Sequence, residues 1–194
     1  MKKGFTLLEL LIVIGILAIL STTMMIVINP AEMLKRARDS QRISDLNTLK
    51  TAIAMYLTEV SSASLTNGSY AYSHTVATYP SSGTCGGYPL THSSTSQAVD
   101  GSGWIPVNFS NITGGSPISS EPIDPNPTNG RYYVYISTTS DNTFELIANM
   151  ESIAYSSGGS SDVESKDGGN PNLTGYYEVG TAMLISTTTG CYQP

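Results

Sequence analysis

The chain has 194 residues, enough for one domain beyond a terminal anchor. Charged residues make up 12% and the formal net charge is −6, a charge density low for a soluble cytosolic protein. The charge is also segregated. Residues 61–194 hold two cations, Arg131 and Lys166, against ten acids, a net of −8, which argues against a nucleic-acid-binding surface because phosphate recognition needs cations.

At the N-terminus Lys2 and Lys3 precede Gly4, and Phe5-Thr6-Leu7-Leu8-Glu9-Leu10 opens an almost unbroken apolar run to Ile28. The 24 residues from Phe5 to Ile28 would extend about 36 Å as helix, more than the roughly 30 Å hydrocarbon core of a bilayer. A cleaved secretory signal has a shorter apolar core with its cleavage site after it. Here the glycine comes first, so the apolar helix is expected to be retained. One acid, Glu9, interrupts the run. A carboxylate at mid-depth costs roughly 2.5–3.5 kcal/mol, less near the surface where Glu9 would lie, and a charge kept there needs a partner. Basic residues flank both ends, Lys2 and Lys3 on one side and Lys35, Arg36, Arg38 and Arg42 on the other, so charge counting alone does not orient the helix.

The stretch Lys2 to Val13, a short basic leader, Gly, Phe-Thr-Leu-Leu-Glu and then the apolar run, resembles the prepilin leader of type IV pilins and type II secretion pseudopilins. The resemblance implies that a prepilin peptidase cuts the Gly4–Phe5 bond on the cytoplasmic side and methylates Phe5. It implies that Glu9 neutralises the Phe5 amine of a neighbouring subunit. It also implies a single-pass inner-membrane precursor that later enters a periplasmic or extracellular filament. An assembly ATPase and inner-membrane platform proteins are then expected partners, since the chain has no phosphate-loop motif of its own.

Asn29-Pro30 ends the apolar run. Proline inside a helix removes a hydrogen bond, yet Asn29 can cap a new helix with Pro30 at its first position and Glu32 at its third. Either one kinked helix or two abutting helices follow. Ile43, Leu46, Leu49, Ile53, Tyr56, Leu57 and Val60 recur at three- and four-residue spacings, predicting an amphipathic helix through residue 60. The charged section from Glu32 to Asp45 is either a solvated face with surface ion pairs, each worth about 0–1 kcal/mol, or a site of inter-subunit pairing or lipid-headgroup contact.

Residues 61–100 read as a long irregular loop with turn signals at Asn67-Gly68, Ser81-Ser82-Gly83 and Gly86-Gly87, and with Tyr-bearing pieces at Tyr70, Tyr72 and Tyr79 as candidate strand fragments. Trp104 to Phe109 is a candidate strand, demoted to an edge by Pro106. Arg131 to Ser137 and Thr143 to Met150 predict a hairpin, and Tyr176 to Ser186 a last strand. Ser156 to Pro171 is a Gly/Ser/Asp loop. The predicted fold class is α+β: a long N-terminal helix packed on a small antiparallel sheet, with a leader (1–4), an assembly helix (5–29), an amphipathic helix (30–60) and an exported head (61–194), a lollipop in outline.

Pro122-Ile123-Asp124-Pro125, followed by Tyr133-Val134-Tyr135 and the later Asp167-Gly168-Gly169-Asn170, is similar to segments of major pseudopilins, where the acidic loop binds calcium. That resemblance makes Asp124, Asp162 and Asp167, with Asn126 and Glu164, calcium candidates, since the ion wants six to eight oxygens. The alternative is a solvated acidic loop beside a rigid Asp-Pro turn, with no cofactor. Cys85 and Cys191, the only cysteines, either form a disulfide in an oxidising compartment, closing a loop worth roughly 4–5 kcal/mol by chain entropy, or stay as thiols. Asn67, Asn108, Asn111 and Asn172 each begin an Asn-x-Ser/Thr triplet, a pattern that chance supplies in so hydroxyl-rich a chain. His74 and His92 lie in the Ser/Thr-rich loop. No nucleophile elbow or His-Glu-x-x-His motif is present, so no enzyme is expected. The expected function is a structural subunit of a type IV pilus-like filament. A major pseudopilin of a type II secretion system and a membrane-anchored adhesion module are the alternatives.

Overall fold

A computed structural model describes residues 4–65, 71–74, 84–85, 88–89, 94–127, 131–138, 141–168 and 175–183. The chain divides into two compact units, Met1–Lys35 and Arg36–Pro194.

In the first unit, α1 covers Leu7–Ile28. Its side chains from Leu7 to Met25 are exposed within the chain on every side, and this stretch is long and apolar enough to cross a membrane. The hydroxyls of Thr22 and Thr23 donate to the carbonyls of Ala18 and Leu20, both at 2.9 Å, so both hydroxyls are satisfied by the helix itself. Asn29 stops α1 in the left-handed conformation (φ 42°), which asparagine tolerates better than most residues. Its Oδ1 accepts the Glu32 N–H at 3.3 Å, and α2 (Pro30–Glu59) starts at Pro30. Of the two arrangements open in the sequence, the structure takes two abutting helices.

In the second unit, Ile43 of the expected α2 stripe is only half-buried, while Leu46, Leu49, Ile53 and Tyr56 enter the core together with Ala52, and Leu57 and Val60 pack against it. They face one side of a four-stranded antiparallel sheet ordered β1 (Ala71–His74), β4 (Val134–Ser137), β5 (Phe144–Ala148), β6 (Tyr177–Gly180). β2 (Thr84–Cys85) and β3 (Tyr88–Pro89) form a separate ribbon. Tyr135, Leu146 and Val179 stand in register across the sheet, and all three belong to the core. β4 and β5 are buried throughout, which explains their nearly continuous apolar character. The hairpin between them closes through Thr138 and Thr143, whose hydroxyls lie 2.7 Å apart. The α+β class, with its long apolar helix and small antiparallel sheet, is as the sequence predicts.

Two local expectations are corrected. Trp104 to Phe109 is not a strand. It is an irregular buried segment with an isolated bridge, Asp100 to Asn108, leading into a 3-10 turn at Phe109–Asn111. Pro106 cannot donate to a ladder, yet Trp104, Ile105, Val107 and Phe109 are all fully buried, so the segment packs as a plug. Its backbone is served instead by the preceding segment and by Glu121: Trp104 N–H donates to the Ser96 carbonyl at 3.0 Å and Phe109 N–H to the Val99 carbonyl at 2.9 Å. Ile105 N–H donates to Glu121 Oε2 at 3.0 Å, Glu121 N–H donates to the Gln97 carbonyl at 2.9 Å, and Gln97 Nε2 donates to the Glu121 carbonyl at 2.8 Å. His74, expected in a loop, belongs to β1 and pairs with Val134.

Candidate functional site

The leader residues come first. Gly4 and Phe5 are exposed, and a Cβ added at Gly4 would meet nothing within 4 Å. The chain's own packing therefore places no demand for glycine there. Thr6 is the N-cap of α1 and forms a reciprocal capping box with Glu9. Thr6 N–H and Oγ1–H donate to Glu9 Oε2 at 2.9 and 2.8 Å, and Glu9 N–H donates to Thr6 Oγ1 at 3.3 Å. The Thr-x-x-Glu spacing was visible in the sequence as a capping signature. Glu9 thus has a partner within its own chain. Both donors fall on Oε2, so Oε1 has no donor among the described residues and can accept one from outside. A carboxylate in the first helical turn also lies favourably in the helix dipole.

In the head, the charged section of α2 is neither solvated nor directed outward at its centre. Asp39 and Arg42 are fully buried. Arg42 donates Nε and Nη2 to Asp124 Oδ2 and Oδ1, both at 2.8 Å, Nη1 to Asp39 Oδ1 at 2.7 Å, and Nη2 to Glu151 Oε1 at 2.6 Å. Arg38 adds a second fork on Glu151, with bonds of 3.0 and 2.5 Å. Asp39 in turn accepts the backbone N–H groups of Glu151 and Ser152 at 2.9 and 2.8 Å. Burial works to lower the Arg42 guanidinium, but bonds to Asp124, Glu151 and Asp39 outweigh it and raise it. Burial likewise works to raise the Glu151 carboxyl, but Arg38 and Arg42 hold it at about 2. Nearby, Tyr133 Oη donates to Asp45 Oδ2 at 2.8 Å, and burial pushes both groups up. Sequence reasoning missed this cluster. Its local trace, an Asp39/Arg42 pair three residues apart, looks the same as a surface ion pair.

The calcium candidates are engaged by protein donors. Asp124 holds Arg42 and accepts the Asn126 N–H at 2.8 Å. Asp162 accepts Gly158 N–H and Ser165 N–H at 2.8 and 3.0 Å and also the Ser165 hydroxyl, and these bonds hold its carboxyl at about 2. Glu164, which burial raises, accepts Met150 N–H and Ser157 N–H, both at 2.9 Å. Asp167 accepts Glu178 N–H at 2.7 Å. Among the described residues no three His, Cys, Asp or Glu side chains are placed to share a metal ion.

Cys85 falls in β2, while Cys191 lies outside the described residues, as do His92, Asn67 and Asn172; the disulfide expectation goes with them. Asn108 caps the 3-10 turn, accepting the Ser110 N–H at 3.0 Å, and Asn111 is exposed.

No curated protein and no solved structure matches the chain. Residues 1–25 match the family described as the prokaryotic N-terminal methylation motif, and the chain therefore carries the prepilin-type leader of type IV pilins and pseudopilins.

Proposed function

We propose that this protein is a structural subunit of a type IV pilus-like filament, made as a single-pass membrane precursor, cut between Gly4 and Phe5, methylated at Phe5 and polymerised through α1. The observation that carries the reading is the methylation motif at residues 1–25 on a helix whose apolar surface its own chain leaves uncovered. Such a surface is stable in lipid. On assembly it exchanges lipid for other stems, so packing and polar pairing, rather than bulk hydrophobicity, decide the preference. Glu9 supplies the pairing. Its free oxygen accepts the Phe5 amine of a neighbouring copy and sets the register between stems. A contact between two different surfaces of identical subunits need not close on itself, and it then builds a fibre. Acidic heads face outward, a prepilin peptidase processes the leader, and a partner ATPase with its membrane platform supplies the work. The mature filament lies in the periplasm or outside the cell.

The test is mass spectrometry of the native N-terminus together with electron microscopy of the cell surface. A chain beginning at methylated Phe5, in fibres, is the expected result. A monomer still bearing Met1 to Gly4 would overturn the proposal and favour an anchored binding module.

A second reading, a major pseudopilin of a type II secretion system, is favoured by Asp124 and Tyr133. These residues of the pseudopilin-like segments hold α2 through Arg42 and Asp45. Fibres at native expression support the pilus; their absence, with a secretin gene adjacent, supports the pseudopilin.

A further inference from the structure

We infer that Arg42 is the cation that ties this head together, so that the head is held by an internal guanidinium and needs no calcium. Three carboxylates from separate parts of the chain converge on it: Asp39 from α2, Asp124 from the 122–125 turn and Glu151 from the segment after β5. A cation seated among acids from distant segments ties those segments together, and a fixed side-chain charge does this without a binding equilibrium. The guanidinium meets Asp124 through two parallel bonds, a geometry that a spherical ion does not supply. An ion approaching Asp124 would have to displace that fork and meet its positive charge.

Two further candidates are already occupied by protein donors. Asp162 receives three donors across its two oxygens, most of the roughly four lone-pair sites a carboxylate offers. Glu164 receives a backbone N–H on each oxygen and is itself buried. These bonds close the 156–165 loop with backbone amide and hydroxyl donors. The head's cohesion in this form does not depend on whether the chain polymerises.

The experiment is thermal unfolding of the full-length chain in detergent, followed by circular dichroism, with excess chelator and with calcium. A site saturated at a hundred times its dissociation constant would raise the midpoint by about 5–10 °C. The expected result is a wild-type midpoint that neither calcium nor chelator moves. Arg42→Gln is expected to lower the midpoint by about 10 °C or more, because the buried Asp39 and Asp124 lose their counter-charge while Glu151 keeps only Arg38. Arg42→Lys should fall between the two, keeping the charge and losing the fork. A calcium-dependent rise of several degrees in the wild type, or a fall in chelator, would overturn the inference, and so would Arg42→Gln melting with the wild type. If Arg42→Gln does not fold, the wild-type titration still decides.

Discussion

Arg42 and Asp124, 82 residues apart, meet through two parallel N–H···O bonds of 2.8 Å with both side chains buried. This fork fastens the middle of α2 to the turn that precedes β4. Removing one member of a buried pair leaves the other charge uncompensated, which typically costs 3–5 kcal/mol. Asp124→Asn is therefore expected to destabilise the head by about 3 kcal/mol or more, read as a lower denaturant midpoint at unchanged slope. An effect below about 1 kcal/mol, the range of surface pairs, would show that the fork contributes little.

Glu151 gives the head an acid limit. Its carboxyl is held at about 2 against an ordinary value of 4.5. A depressed acid contributes stability above its unfolded value and loses it as pH falls through the folded one. The wild-type thermal midpoint should fall between pH 4.5 and 2. Glu151→Gln should start lower at neutral pH and lose less over the same window. Parallel pH profiles for the two proteins would be the contrary result.

Glu121 acts in the opposite sense. Burial pushes its carboxyl to about 8, against backbone bonds from Ile105 and Trp104 that pull it down, and Oε1 is buried with no hydrogen-bond partner among the described residues. A raised acid contributes fully below its unfolded value and loses that contribution as pH rises to the folded one. Stability should thus fall from pH 4.5 to 8, by at most about 1.4 kcal/mol per unit. Glu121→Gln should flatten that decline, as denaturant titrations at several pH values would reveal.

Gly103 packs against the Ala98 carbonyl and Glu121 Oε2 so closely that an added Cβ would overlap both. One contact is backbone, so it cannot swing aside. Gly103→Ala should destabilise by about 1–3 kcal/mol through overpacking, whereas Gly114→Ala, where a Cβ meets nothing but φ is +94°, tests backbone strain alone. Equal stability of Gly103→Ala and wild type in calorimetry would contradict the packing seen here.

Glu9 can serve as helix cap, as inter-subunit charge, or as both, and two variants separate these roles. Glu9→Gln keeps an oxygen for the Thr6 N–H and loses the charge; Glu9→Ala loses both. Membrane insertion should survive in each. If pairing with the Phe5 amine drives assembly, both should cut filament yield about tenfold or more, the effect of losing a charge-assisted bond. Wild-type yield from Glu9→Gln would reduce the residue to a cap.

How much could be read in advance differs between the two units. The stem was legible because its determinants are local: an uninterrupted apolar run, a proline at residue 30, and side chains that need no partner from elsewhere in the chain. The capping box leaves a local trace as well, Thr6 and Glu9 three positions apart, though the family resemblance assigned Glu9 only an external partner. The core stripe of α2 and the β4–β5 hairpin followed from periodicity and propensity. Trp104 to Phe109 misled because β propensity measures fit to a half-buried surface, and a buried plug has the same composition as a strand. Whether a ladder forms depends on a neighbouring edge with free donors and acceptors, and here the Ser96 and Val99 carbonyls and the Glu121 carboxylate took that place.

By itself the sequence determined the apolar helix, its leader and the alternation of helix and strands, because each rests on residues within a few turns of one another. Only the tertiary structure decided that Arg42 and Asp39 are interior. Burying a guanidinium is tolerable only where counter-charges converge, and two of its three acids, Asp124 and Glu151, arrive from 82 and 109 residues away.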